Sequence, residues 1–240
     1  MQNLPIGSSA LAQFLAKALP AAADHPGPSN CWAWKVMHYD YAELVGLSAA
    51  LDVVEQRGQL AALERRVRQE HRKCRALKSQ TDFLEYVEED FRLLDCLTEA
   101  CAFAWTDKRG LGAPRFDHRR GMPDIHLPPD LWVEAKAVHQ SEASRKDWTD
   151  SLDENRVLAF ISKFQDANEQ FKRAGAERRV VFFNLTAVDI THMLRREELL
   201  VQYGVVLDQM EAEYPAASAV LCCNYEWWRP IRDPFLPQAQ

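Results

Sequence analysis

This chain of 240 residues predicts an α/β domain preceded by a helical region. Three observations lead there. Up to about residue 104 the apolar side chains recur at helical spacing. Beyond it, short runs dense in β-branched and aromatic residues alternate with further helical stretches, the order expected of strands joined through helices. The composition, 47% hydrophobic and 27% charged with a mean hydropathy of −0.36, belongs to a chain that can bury a sizeable core and excludes wholesale disorder.

Residues 8–19 read as a short amphipathic helix with Leu11, Phe14, Leu15 and Ala18 on one side, and 20–30, rich in Pro, Gly and Asp, read as a connector. Strong helix formers fill 42–78 with a break near Gly58, and Leu60, Leu63, Val67 and His71 recur among Arg65, Arg66, Arg68, Arg72, Lys73 and Arg75. Such a basic helix is expected to pack with a solvated face; contact with nucleic acid, a protein partner or a second copy of the chain is the alternative. Another long helix is expected over 82–104, where Leu84, Val87, Phe91, Leu94, Thr98, Cys101 and Trp105 form one stripe. After the Gly- and Arg-rich stretch 108–121, strands are expected at 123–127 and 131–138, with a further one at 103–107 or 115–118. A helix over 154–174 presents Val157, Phe160, Ile161, Phe164, Ala167 and Phe171 on one face. A buried strand over 179–188, a helix over 190–213 and a strand over 217–227 complete the pattern. The expected division is a helical region over 1–78 and the α/β domain over 79–240.

Lys and Arg (29) against Asp and Glu (35) leave a net charge of −6, so any nucleic-acid contact must come from local basic patches. No apolar run is long enough to cross a bilayer. Residues 1–10 carry no Lys or Arg ahead of the apolar stretch, so no secretory signal is expected. The six cysteines form no C-x-x-C pair, which gives a zinc site little support and makes reduced, cytoplasmic thiols the expectation.

The chemistry concentrates in residues 123–136, PDIHLPPDLWVEAK. Pro128 and Pro129 lack the backbone donor that a strand interior needs, so they and Asp130 make the turn of a hairpin. A three-residue turn sets Leu127 opposite Leu131, His126 opposite Trp132, Ile125 opposite Val133 and Asp124 opposite Glu134. Because side chains alternate along a strand, Lys136 shares the face of Glu134, and Asp124, Glu134 and Lys136 converge. Opposed residues have Cβ atoms roughly 4.5–5.5 Å apart, so the two acids repel unless something positive lies between them. Lys136 and a divalent cation both qualify.

This arrangement resembles the PD-(D/E)XK phosphodiesterase superfamily, the restriction-endonuclease-like nucleases, with Pro123-Asp124 as one half of the motif and Glu134-Ala135-Lys136 as the other. The resemblance covers residues 80–190 and implies an αβββαβ core, a central mixed sheet flanked by helices. The gap of nine residues between Asp124 and Glu134 is at the short end for the family, and the hairpin accommodates it. What the resemblance implies is a nuclease, with DNA expected rather than RNA, in which Asp124, Glu134 and the carbonyl of Ala135 hold Mg²⁺ or Mn²⁺ and Lys136 orients the attacking water. Hard oxygen ligands suit those cations, and a bound cation lowers the pKa of water and neutralises phosphate oxygens.

An acid from the preceding helix often joins such sites. Glu88 borders the apolar stripe in the first half of that helix and is the candidate, with Asp95 behind it. Lys108, Arg109, Arg115, Arg119 and Arg120 precede the motif as candidate phosphate contacts, and Lys163 and Gln165 border the stripe of the following helix. His126 and His118 are minor candidates, and Trp227 and Trp228 read as core before they read as a base-stacking pair. The rival reading is a catalytically silent nucleic-acid-binding or assembly module that keeps the fold, with the N-terminal helices making the contacts.

Overall fold

A computed structural model describes residues 6–24, 32–39, 45–77, 83–138, 154–185 and 196–235. The chain divides into two compact units, 1–104 and 105–240, so the division falls within the sixth helix, one element later than the expected 78/79.

The first unit contains α1 (Ala10–Ala18), α2 (Pro20–Ala23), α3 (Trp32–His38), α4 (Val45–Gln56), α5 (Leu60–Leu77) and most of α6 (Phe83–Lys108). The Ser9 hydroxyl caps α1 by accepting from the Ala12 N–H at 3.1 Å, which satisfies one of the orphan donors of a helix start. At the other end of α1, Arg68 donates to the carbonyls of Lys17 (2.9 Å) and Ala18 (3.3 Å). The expected connector opens with one helical turn, because Pro20 at its start has a φ already suited to a helix; residues 25–30 of it lie outside the described residues. The seven-residue α3 is too short and too aromatic to show in the periodicity. The basic helix α5 turns two arginines inward: Arg68 pairs with buried Glu64, and Arg66 pairs with Glu70 and, at 3.1 Å, with buried Glu99 of α6. Buried acids are costly unless paired, so these arginines serve the packing of the unit.

The second unit begins with the end of α6. Residues 103–107 are helical, not a strand, because the helix runs on to Lys108 and stops where Gly110 adopts a φ of +63°, the usual left-handed terminator. The strands are β1 (Arg115–Phe116), β2 (Ile125–Leu127), β3 (Leu131–Val138), β4 (Arg178–Leu185) and β5 (Ala217–Cys223), with α7 (Glu154–Ala174) between β3 and β4 and α8 (Arg196–Glu213) between β4 and β5. They form one mixed sheet in the order β1-β2-β3-β4-β5. β2 is antiparallel to both neighbours, whereas β3, β4 and β5 are parallel. Parallel neighbours need a crossover, which α7 and α8 supply. Both helices cover one face, where Phe160, Phe164 and Phe171 of α7 and Tyr203 and Leu207 of α8 pack with Trp132, Val181, Phe183 and Leu221. On the opposite face Trp105 packs against Phe182 and Phe235, with ring centroids 5.8 and 5.7 Å away. Covered on both sides, β4 is buried from Val180 to Leu185, Asn184 included, as its β-branched and aromatic density predicts. The free edge of β5 is closed by residues 231–232, which exchange backbone hydrogen bonds with Leu221 at 2.7–3.1 Å.

The expected strand over 217–227 therefore ends at Cys223; Trp227 is buried and meets Trp228 edge-on. Cys96, Cys101, Cys222 and Cys223 are free thiols. Among the described residues no helix is long and apolar enough to cross a membrane.

Phe183 is fully buried between Phe160 and Phe164. Phe183→Ala is expected to cost about 3–5 kcal/mol, read as a lower urea midpoint at unchanged slope; a loss below about 1 kcal/mol would contradict this packing.

Candidate active site

The hairpin adopts the expected register: Ile125 pairs with Val133, His126 with Trp132 and Leu127 with Leu131, around the turn Pro128–Asp130. Asp124 lies one residue beyond the end of the β2 ladder. There the two carboxylates take over the cross-strand contacts. Asp124 Oδ2 accepts from the Ala135 N–H at 2.9 Å, and Glu134 Oε2 accepts from the Asp124 N–H at 3.1 Å. The Lys136 ammonium donates to Glu134 Oε1 at 2.5 Å. The side chains of Glu134 and Lys136 are 4% and 16% exposed, and Asp124 is half-buried, so the cluster sits at the margin of the core with Asp124 as its most open acid.

The sequence treats the two acids as repelling each other. In the structure the positive group is Lys136, bonded to Glu134, and each carboxylate also accepts a backbone N–H from the opposite strand. Burial draws the Lys136 ammonium down, but Glu134, Asp124, the hydrogen bond to Glu134 and Asp166 of α7 outweigh it, and the Lys136 pKa ends above the ordinary lysine value. At neutral pH Lys136 is therefore a cation that donates, not a base.

Of the other sequence candidates, Arg119 chelates Asp117, donating from Nε to Oδ1 at 2.8 Å, and this pair lowers the Asp117 pKa. Asp117 is joined to the site, since its N–H donates to the Asp124 carbonyl at 2.8 Å. Arg120 is exposed beside it. Lys108 donates to the Trp228 carbonyl at 3.0 Å, and Arg109 holds the buried carboxylate of Asp233 at 2.7 Å, together with the Trp105 indole. These two cations tie down the C-terminal segment, a structural duty. Gln165 hydrogen-bonds Tyr214, on the side of α7 that faces the end of α8. Lys163 lies one turn before Asp166 and so on its side of the helix. The rings of His126 and Trp132 stack at 4.1 Å, and those of His118 and Phe116 at 5.1 Å; both histidines are packed side chains. Glu88 lies on α6 in the first unit, and its side chain is outside the described residues.

Asp166 and Asp117 are the site residues that sequence reasoning misses. Helical spacing marks Asp166 as solvent-facing but does not say which strand its helix crosses. Asp117 follows a strand of two residues, too short to give a period.

Among the described residues no group of three or more His, Cys, Asp and Glu side chains is placed to hold a metal ion. A cation here would rest on the two carboxylates and backbone oxygen, a donor set that suits Mg²⁺, which keeps most of its waters. No family model, curated protein or solved structure matches the chain.

The raised Lys136 pKa has a stability consequence. The contribution of this ammonium is fully present below the unfolded lysine pKa of about 10.4 and is lost as pH rises through the raised folded value. Between pH 9 and 11.5, wild-type unfolding free energy should fall more steeply than that of Lys136→Gln. Parallel curves would show that the pair with Glu134 does not hold the proton.

Proposed function

We propose that the protein is a metal-dependent nuclease that hydrolyses phosphodiester bonds of nucleic acid, DNA rather than RNA, in the manner of the PD-(D/E)XK enzymes it resembles. The observation that supports this reading is the hairpin pairing, with Asp124 and Glu134 bonded to backbone N–H groups of each other's strand and Lys136 bonded to Glu134. The succession α6, β1, β2, β3, α7, β4 supports it, being the αβββαβ order the resemblance implies.

In that reading Asp124, Glu134 and the carbonyl of Ala135 would hold Mg²⁺ or Mn²⁺. Such a cation supplies a water of lowered pKa and neutralises phosphate oxygens. The remaining chemistry belongs to the chain. Glu134 is fixed by Lys136 and by the Asp124 N–H, so its oxygens are already oriented before any ligand arrives. Lys136, held protonated by the acids around it, would donate to the attacking water or to a non-bridging oxygen and stabilise the charge that develops there. A general-base role does not suit it.

One observation favours the rival, a silent module that keeps the fold: both oxygens of Glu134 are already engaged and the side chain is 4% exposed. Metal binding separates the two readings. Incubated with labelled single-stranded, duplex and branched DNA and RNA in Mg²⁺ or Mn²⁺, the wild type should cleave at least one. Excess EDTA should abolish cleavage, and Asp124→Ala, Glu134→Ala and Lys136→Ala should each lower the rate about 10²-fold or more. No cleavage together with no Mn²⁺ binding by calorimetry would leave the silent module; cleavage that survives EDTA or all three substitutions would remove the assignment.

A further inference from the structure

The loop that delivers Asp124 to the site is a tight, basic turn. The Asp117 N–H donates to the Asp124 carbonyl at 2.8 Å and the Met122 N–H to the Arg119 carbonyl at 3.1 Å. The Asp117 side chain accepts from the Arg119 N–H at 3.2 Å. Met122 packs on the core under α7 and α8. At its tip Gly121 has a φ of +77°, and a Cβ there would lie 3.0 Å from Arg173 Nη1. A guanidinium from the last turn of α7 thus lies against the glycine that follows Arg119 and Arg120 in sequence. Gly121 is needed for its backbone conformation, and the tip of Arg173 lies where its side chain would begin.

The three arginines differ in what already holds them. Arg119 is chelated by Asp117, so its part is to set the turn. Arg120 and Arg173 are exposed; Glu169, whose charge interacts with Arg173, is itself paired with Lys172 at 2.6 Å. Cations are favoured at a helix C-terminus in general, but that does not by itself bring Arg173 to the loop at Gly121. We propose that Arg120 and Arg173 form a clamp for a backbone phosphate of the nucleic acid, holding the strand beside the carboxylates. Guanidinium groups pair with phosphate oxygens through two parallel hydrogen bonds, and in an acidic chain such contacts must be local. The clamp rests on reading the hairpin as a nuclease centre, and it adds the residue from α7 that the sequence does not single out.

The test is the salt dependence of binding to a fluorescein-labelled DNA duplex and to the corresponding single strand, measured by anisotropy in EDTA so that no cleavage occurs. The double variant Arg120→Ala/Arg173→Ala should make the slope of log affinity against log salt shallower by about 0.9 on duplex or 0.7 on single strand, and Arg173→Ala and Arg120→Ala should each account for part of that change. Arg173→Lys should restore the slope, and Lys172→Ala should leave it unchanged. Circular dichroism should report that each variant is folded. Wild-type slopes in both arginine variants, or an equal drop in Lys172→Ala, would overturn the clamp even if the protein cleaves DNA. A lowered slope in a protein that neither binds Mn²⁺ nor cleaves would keep the clamp and remove the nuclease.

Discussion

The register of β2 against β3 is the constraint on which the second unit depends. Side chains alternate along a strand, so a slip of one residue would send Glu134 and Lys136 to the face now occupied by Val133 and Ala135, and Trp132 out of the core it shares with α7. The register is fixed at one end by a turn whose two prolines cannot extend the ladder. The same turn is anchored to the next strand, where the Arg178 N–H donates to the Asp130 carbonyl at 3.3 Å and Arg178 lies 3.8 Å from the Asp130 carboxylate. At the other end the carboxylates of Asp124 and Glu134 carry the cross-strand contacts after the ladder stops. Structure and candidate chemistry therefore draw on the same two side chains.

That shared use explains the polarity of the site. A carboxylate held at 4% exposure needs partners, and Glu134 has a backbone N–H and an ammonium. Asp124, one residue outside the ladder, remains half-buried and is the acid through which solvent meets the cluster. The charges elsewhere sort by what they face. Arg66 and Arg68 face buried acids in the helical unit, Arg109 faces buried Asp233, and Arg232 joins Asp208 at 2.6 Å and Glu211 at 2.5 Å. Arg120 and Arg173 face solvent.

The long helices, the three central strands and the hairpin pairing were legible because each carries a period, a composition or a breaker: the stripe of Phe160, Phe164, Ala167 and Phe171, the β-branched and aromatic density of β4, the prolines at 128 and 129. What escaped has no such signal. α3 is seven residues, and β1, found at the second of the two places expected for a further strand, is only two. The alternative strand at 103–107 looked plausible because Phe103, Ala104 and Trp105 are apolar together, yet Gly110 stops the helix only after it has passed them. Sequence also treats a run of arginines as one face. It cannot tell Arg68, which closes the end of α1, from Arg72, because that depends on which helix lies alongside. In the site, strand alternation brought Asp124, Glu134 and Lys136 together, while Asp166, Asp117 and Arg173 come from elements whose position over the sheet is set by the crossover and by the loop.

The protonation of Lys136 constrains any mechanism assigned to this hairpin. An ammonium beside two carboxylates, with Asp166 adding to their pull, does not release its proton near neutral pH, so proton removal from a nucleophile must fall to another group or to solvent. The same ammonium lowers the electrostatic cost of bringing a phosphate, itself an anion, toward two acids. Arginines on the adjoining turn would act in the same direction. The carboxylate pair alone would repel a nucleic-acid backbone; in the proposed reading Lys136 inside the cluster and Arg120 and Arg173 at the adjoining loop would offset that repulsion.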